Sequence, residues 1–262
     1  MKRNDIINKY YELSNLKNYF SKNIILWFSK NKRKLPWRTK ISQENFSYFV
    51  FVSEFMLQQT QVKTVIPYFL RFVAKWPSVT LLSKANDREV LMLWQGLGYY
   101  SRGRNLLRSA KIIVSDYGGK IPVKEEELRK LPGVGDYTAA AIRSIAFNKR
   151  AVAIDGNVKR VIARFFGLEG TLESNLDTIA KIANLICPNS NNRNYTQGVM
   201  ELGAIICKPK EPDCSQCMIS NHCIAFNSNK IDSIPDCIGS LTNLEKLEIW
   251  SNPIKYISPN IQ

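Results

Sequence analysis

Apolar residues recur at three- and four-residue intervals over 16–31, 46–57, 61–75, 87–95, 102–116 and 176–187, the period of an amphipathic helix. Asp or Ser commonly precedes these runs, and Gly or Pro follows them, as helix starts and stops require. Two further helical patterns, Glu125–Lys130 and Tyr137–Phe147, flank the short segment Leu131-Pro132-Gly133-Val134-Gly135. No run of strictly alternating residues occurs before residue 230, so the chain up to residue 226 predicts an all-α fold. The remainder, 227–262, has a different rhythm. Ile234, Pro235, Ile238, Leu241, Leu244, Leu247, Ile249, Asn252, Ile254 and Ile257 follow a leucine-rich-repeat spacing, with Leu247 and Ile249 expected on a short strand and Asn252 at the turn. One repeat cannot bury its own apolar face, so this tail is either a remnant of a longer array or a segment that docks on the helical body.

Composition changes that picture in one respect. With 45% hydrophobic and 23% charged residues the chain is ordinarily globular, but its formal charge is +15. Such a surplus favours a polyanion as partner, either nucleic acid or an anionic membrane face. Apolar runs such as Ile24–Phe28 are too short to span a bilayer. Asp5, Asn8, Lys9 and Glu12 interrupt the N-terminus before a signal-peptide core forms. The expected location is therefore the cytoplasm, on the nucleoid in a bacterium, or the nucleus in a eukaryote.

Several segments carry residues suited to chemistry. Cys207, Cys214, Cys217 and Cys223 fall in a C-x6-C-x2-C-x5-C loop. Soft thiolates so close together point to zinc or an iron–sulfur centre, and the single C-x2-C pair with wide flanks suits a cube better than one ion. His222 lies inside this loop, while Cys187 and Cys237 read as ordinary thiols. The Pro-Gly hairpin at 131–135 is either a plain helix–turn–helix corner or a phosphate cradle built from backbone amides. Asp155 precedes a helical pattern and reads either as an N-cap or as a carboxylate facing a developing positive charge. Glu54 sits among Val50, Val52, Phe55 and Leu57. Burial there would raise its pKa as a general acid requires; the alternative is a polar face shared with Gln58 and Gln61. The turn Gln95–Arg102 carries Tyr99, Tyr100 and a basic residue that can wedge a base stack. Trp37 and Arg38 offer a ring and a guanidinium suited to a nucleobase.

Taken in order, LPWR (35–38), SEFMLQQTQV (53–62), WQGLGYYSRGRNL (94–106), LPGVGDYTAAAI (131–142), DGNVKRV (155–161), MELGAIIC (200–207) and the cysteine loop resemble the MutY family of adenine DNA glycosylases, within the helix-hairpin-helix superfamily. The resemblance covers about residues 17–226. It implies a two-lobed, all-α glycosylase domain over 1–226, closed by a cluster loop at 207–223, with 227–262 as a separate tail. Glu54 then corresponds to the acid that protonates N7 of a flipped adenine, Asp155 to the carboxylate that stabilises the oxocarbenium-like sugar, and Tyr137 to a tyrosine contacting both. Arg38 and Gln197 match adenine-contacting positions, and Gln58, Gln59 and Tyr99 fall in the motifs that meet the duplex, the last two as intercalating side chains. The backbone of Gly133, Val134 and Gly135 would hold a DNA phosphate. The four cysteines would ligate a four-iron four-sulfur (4Fe–4S) cluster that positions a basic loop containing Lys208 and Lys210. The implied partner is double-stranded DNA with adenine opposite 8-oxoguanine or guanine, the implied form a monomer. The closest alternative is an endonuclease III-like glycosylase/lyase; that family carries a lysine where this chain has Tyr137, so strand cleavage is expected to be weak or absent. A second alternative is a truncated DNA-binding relic without activity. The repeat-like tail stands where the family has an 8-oxoguanine-recognising domain, so weak discrimination of 8-oxoguanine:A from G:A is expected.

Overall fold

The computed structural model describes residues 3–38, 45–228, 233–234 and 256–257. Twelve helices follow in order among them: α1 (Arg3–Asn31), α2 (Phe46–Leu57), α3 (Val62–Lys75), α4 (Val79–Ser83), α5 (Asp87–Trp94), α6 (Ser101–Tyr117), α7 (Glu125–Leu128), α8 (Asp136–Ala141), α9 (Gly156–Phe165), α10 (Leu176–Ile186), α11 (Asn192–Ile205) and α12 (Ile224–Ser228). The six long apolar-periodic stretches all fold as helices, with ends within two residues of those expected from 16 onward, and α1 extends further back to Arg3. The chain divides into two compact units, one of Met1–Asp155 with Ala183–Gly198, the other of Gly156–Ile182 with Val199–Gln262.

The first unit is organised around α2. From Tyr48 to Met56 every residue of this helix is buried, because FSYFVFVSEFML has no continuous polar stripe to turn toward water. α2 packs on α3, α6, α8 and the 3-10 turn Pro36–Arg38. On α1, Phe20, Ile24 and Phe28 recur every four residues and are at most 1% exposed; each such side chain contributes roughly 1.5–3 kcal/mol on burial. Phe69 of α3 meets Trp37 edge-on at 5.3 Å and Phe49 at 6.0 Å. Trp37 is thus a core residue, a correction to its reading as a nucleobase platform: in a chain this rich in aromatics, Phe69 offers it a dry partner.

Local chemistry sets the helix ends. Ser78 accepts from the Leu81 amide at the start of α4, and Asn86 with Glu89 forms a reciprocal capping box on α5. The pattern expected over Tyr137–Phe147 is realised as α8 followed by a π-helical turn, Ile142–Ala146.

In the second unit, α9 buries Val158, Val161, Ile162 and Phe165, an i, i+3, i+4, i+7 stripe, and packs on α12. In the tail, β1 (Ser233–Ile234) pairs in parallel with β2 (Tyr256–Ile257), Ser233 opposite Tyr256 and Ile234 opposite Ile257. Successive leucine-rich repeats also run in parallel, one repeat length apart. Leu247, Ile249 and Asn252, expected on the strand and its turn, lie outside the described residues, as does Cys237.

Candidate active site

Glu54 lies on the last turn and a half of α2 and is 6% exposed. The all-apolar helix carries it into the interior, and no polar face is left for it to share with Gln61. Burial above all, and then the charge of Asp155, raise its carboxyl to about 7 against the opposing effect of a hydrogen bond donated by the Tyr137 hydroxyl. Tyr137, on the first turn of α8, is itself shifted well above its ordinary value, first by burial, then by the charges of Glu54 and Asp155. Its phenol therefore stays protonated and donates. Asp155 is half-buried and directly precedes α9, the position of an N-cap. Three residues far apart in sequence are thus brought together: a carboxylic acid that keeps its proton near neutrality, a carboxylate within range of its charge, and a phenol bridging to the acid.

The hairpin lies next to them. Gln58 donates from Nε2 to the Gly133 carbonyl at 3.2 Å and to Thr138 Oγ1 at 3.3 Å, fastening the end of α2 to the turn. Gly133 has φ +82°, and a Cβ there would lie 2.8 Å from the Phe55 ring and 2.9 Å from Asn105; it is glycine for internal reasons. Gly135 has ordinary extended φ/ψ, and a Cβ would meet nothing within 4 Å. Nothing inside the protein requires glycine there, which leaves close approach of an outside group as the physical use of its bareness. The Val134 amide donates to the Leu131 carbonyl at 3.1 Å, so the turn itself consumes that donor. The Gly135, Asp136 and Tyr137 amides have no backbone acceptor among the described residues, as expected at the start of a helix.

Arg38 and Gln197 also meet: Arg38 Nε donates to Gln197 Oε1 at 2.9 Å, with the guanidinium 5.0 Å from the Phe28 ring centroid. Gln59 and Tyr99 are both exposed, and both hold left-handed backbones, φ +56° and +47°. Arg102, the basic residue read on the wedge turn, does not face outward. It is 7% exposed and spends its guanidinium on backbone carbonyls.

In the second unit Cys207, Cys214, Cys217 and Cys223 line one cavity of about 720 Å³ together with Val161, Phe165, Leu202 and Ile219. Burial, with contributions from the neighbouring cysteines, raises Cys214 and Cys223 and pushes Cys217 up to about 12. Four partly buried cysteine sulfurs around one cavity form a donor set that a soft cation would suit, since binding it releases the thiol protons. Among the described residues no three ligating side chains converge on a single ion. Four sulfur donors lining one cavity are a soft donor set of the kind that zinc or an iron–sulfur cluster takes. Two arginines that the sequence reading passed over support the loop. Arg160 donates to the Cys207 carbonyl at 2.8 Å and the Gly203 carbonyl at 2.7 Å; Arg164 donates to the Lys208 and Pro209 carbonyls and, at 3.5 Å, to Cys207 Sγ. Their i, i+4 spacing on the polar face of α9 was the available signal.

A helix–hairpin–helix with a carboxylate placed shortly after it defines a class, and known proteins give that class its name. The family of HhH-GPD superfamily base excision DNA repair proteins matches residues 52–187. Among solved structures, a thermostable thymine-DNA glycosylase superposes with a TM-score of 0.71 at 28% identity, covering 82% of this chain and 98% of that one. A trapped endonuclease III–DNA covalent intermediate shares the fold with a TM-score of 0.65 at 21% identity, covering 80% of this chain and 95% of that one. Curated relatives go further. The adenine DNA glycosylase of Buchnera aphidicola (subspecies Schizaphis graminum) is 38% identical over 90% of this chain and 68% of its own length. The adenine DNA glycosylases of Rattus norvegicus and Homo sapiens are each 42% identical over 79% of this chain, which spans 41% and 39% of their respective lengths. The chain belongs to the adenine DNA glycosylase family of the HhH-GPD superfamily.

Proposed function

We propose that this protein excises adenine from mispaired DNA, hydrolysing the bond between N9 and the deoxyribose C1′. The observation that carries this reading is the buried Glu54, protonated near neutral pH, hydrogen-bonded to Tyr137 and accompanied by Asp155. Adenine is a poor leaving group until its ring is protonated. Glu54 delivers a proton to N7 of the extruded base, so the C1′–N9 electron pair departs into a neutralised purine. Asp155 stabilises the cationic sugar left behind, directly or as a transient C1′ ester that water then opens. Tyr137 orients the Glu54 carboxyl. Arg38 and Gln197 hold the base edge, and Gln59 and Tyr99 enter the stack it leaves. The amides around Gly135 grip the phosphate, and the basic surface draws in the duplex, in which adenine stands opposite 8-oxoguanine or guanine.

Cys207, Cys214, Cys217 and Cys223 would hold a 4Fe–4S cluster, which when bound cross-links the loop bearing Lys208 and Lys210 into one rigid DNA-facing element. Position 137 offers a phenol and no amine, which supports a monofunctional enzyme that leaves an intact abasic strand.

The test uses duplexes with a single A:8-oxoguanine or A:G pair, analysed with and without alkali. Strand scission only after alkali, and its loss in Asp155→Asn, is the expected outcome. No alkali-labile product from either duplex would overturn the activity, and scission without alkali would overturn monofunctionality.

A further inference from the structure

Two short turns of the first unit carry the exposed residues Gln59 and Tyr99, and both residues hold a backbone that L-amino acids rarely adopt, at a cost of roughly 1–2 kcal/mol each. Strain of this kind persists only where the surroundings over-determine it. The surroundings converge on one side chain. Arg102, on the first turn of α6, donates from Nη1 to the carbonyls of Phe55 (3.4 Å), Met56 (2.9 Å) and Gln58, the frayed C-terminal end of α2 just before Gln59. From Nη2 it donates to Leu97 and Gly98, both at 3.1 Å, the two carbonyls just before Tyr99. Its plane also lies 5.4 Å from the Tyr99 ring centroid and 5.7 Å from that of Trp94. Trp94, fully buried, donates its indole N–H to the same Gly98 carbonyl at 3.1 Å, and Gly103 lets α6 lie flat on its ring.

We propose that Arg102 is a positioning residue that fastens the Gln59 turn to the Tyr99 turn, setting the two probes at a fixed separation before DNA arrives. A planar guanidinium spreads its donors over separate nitrogens and so serves two sets of carbonyls at once, whereas a lysine ammonium gathers its three donors on one nitrogen. The positive charge also suits the C-terminal end of α2, where carbonyls lack helical partners. Preset probes spare the ordering cost when the duplex is opened, which places the effect on base extrusion and not on encounter. This proposal rests on the reading that Gln59 and Tyr99 enter the duplex.

The experiment uses the full chain carrying its cluster and a duplex with 2-aminopurine beside the mispaired adenine, whose fluorescence rises on unstacking. Arg102→Lys, which keeps the buried charge, is expected to bind duplex nearly as tightly as wild type with a native-like melting temperature, yet to lose the fluorescence rise and slow single-turnover excision roughly a hundredfold. Free guanidinium added to Arg102→Gly restores part of the rise. Trp94→Phe, which removes the bond to Gly98 together with part of the buried ring under α6, makes a further Tyr99→Ala change cost less than it does in wild type. A full fluorescence rise in Arg102→Lys, or a loss that tracks melting temperature with additive Trp94 and Tyr99 effects, overturns the proposal. Gln59→Ala and Tyr99→Ala separate it from its premise: if neither surface variant lowers the fluorescence rise, it is the intercalation reading that fails.

Discussion

At the residue scale, Glu54 carries two opposed consequences of one environment. An unfolded glutamate loses its proton near 4.5, whereas folded Glu54 keeps it to about 7. Its contribution to stability is therefore fully present below pH 4.5 and is lost as pH rises through 7, an effect on the order of 3 kcal/mol. Glu54→Gln removes that loss. The variant should unfold at a higher urea concentration than wild type at pH 8 and show no such advantage at pH 4. Its excision rate should fall by roughly 10²–10⁴-fold, since an amide has no proton to give. In the wild type, single-turnover excision should decline as pH rises through about 7, because the acid is then spent. Much of this was legible in the sequence: a lone glutamate in a helix with no polar stripe has nowhere to go but inward. The fate of Arg102 was not, because an arginine among tyrosines and glycines reads as a surface base until the carbonyls it serves are placed around it in space.

At the scale of elements, the hairpin separates two uses of glycine that sequence alone renders identical. Gly133→Ala forces a left-handed backbone on a residue whose Cβ would collide with Phe55 and Asn105, so it should lower the melting temperature by several degrees, with a loss of about 2–3 kcal/mol. Gly135→Ala should leave thermal unfolding unchanged and weaken duplex binding, measured by anisotropy at fixed salt. A fall in melting temperature for the second variant would remove the case for an outside ligand at that turn. Helix positions were readable because their apolar period is strong and their caps conventional, as with Asn86 and Glu89. The π-helical turn after α8 left no trace in the pattern, since one extra residue per turn is invisible to a period measured over a short window. The hidden Val134 amide is similar: which donors a tight turn consumes depends on its dihedrals, not its letters.

At the scale of the whole molecule, the charge of +15 predicts affinity for DNA of any sequence that falls steeply with salt. If the cysteine loop holds the proposed cluster, replacing Cys217 by serine, or growing cells under iron limitation, should lower visible absorbance of the purified protein and weaken binding. Because Glu54, Tyr137 and Asp155 all belong to the first unit, residual excision at high enzyme concentration should keep the wild-type pH profile. A shifted profile would mean that the cysteine loop bears on the acid itself. The grouping of Asp155 with the first unit and the next residue with the second was not legible, because it depends on contacts across the chain.

That division has a consequence for the order in which the protein is made. The first unit takes its last stretch from Ala183–Gly198, where Gly198 comes against Ile24 and Phe28 so closely that a Cβ would sit 2.7 Å from Ile24. Arg38 waits 159 positions for Gln197. All three residues of the acid–carboxylate pair and its phenol leave the ribosome well before the segment that closes the unit around α1, and contacts of such long sequence separation form slowly. Ribosome-stalled chains ending before residue 183 should therefore be cut by protease near Phe28, while chains extended past the ribosomal exit tunnel beyond residue 198 should resist. The chain holds its reactive groups early and completes the unit that carries them late.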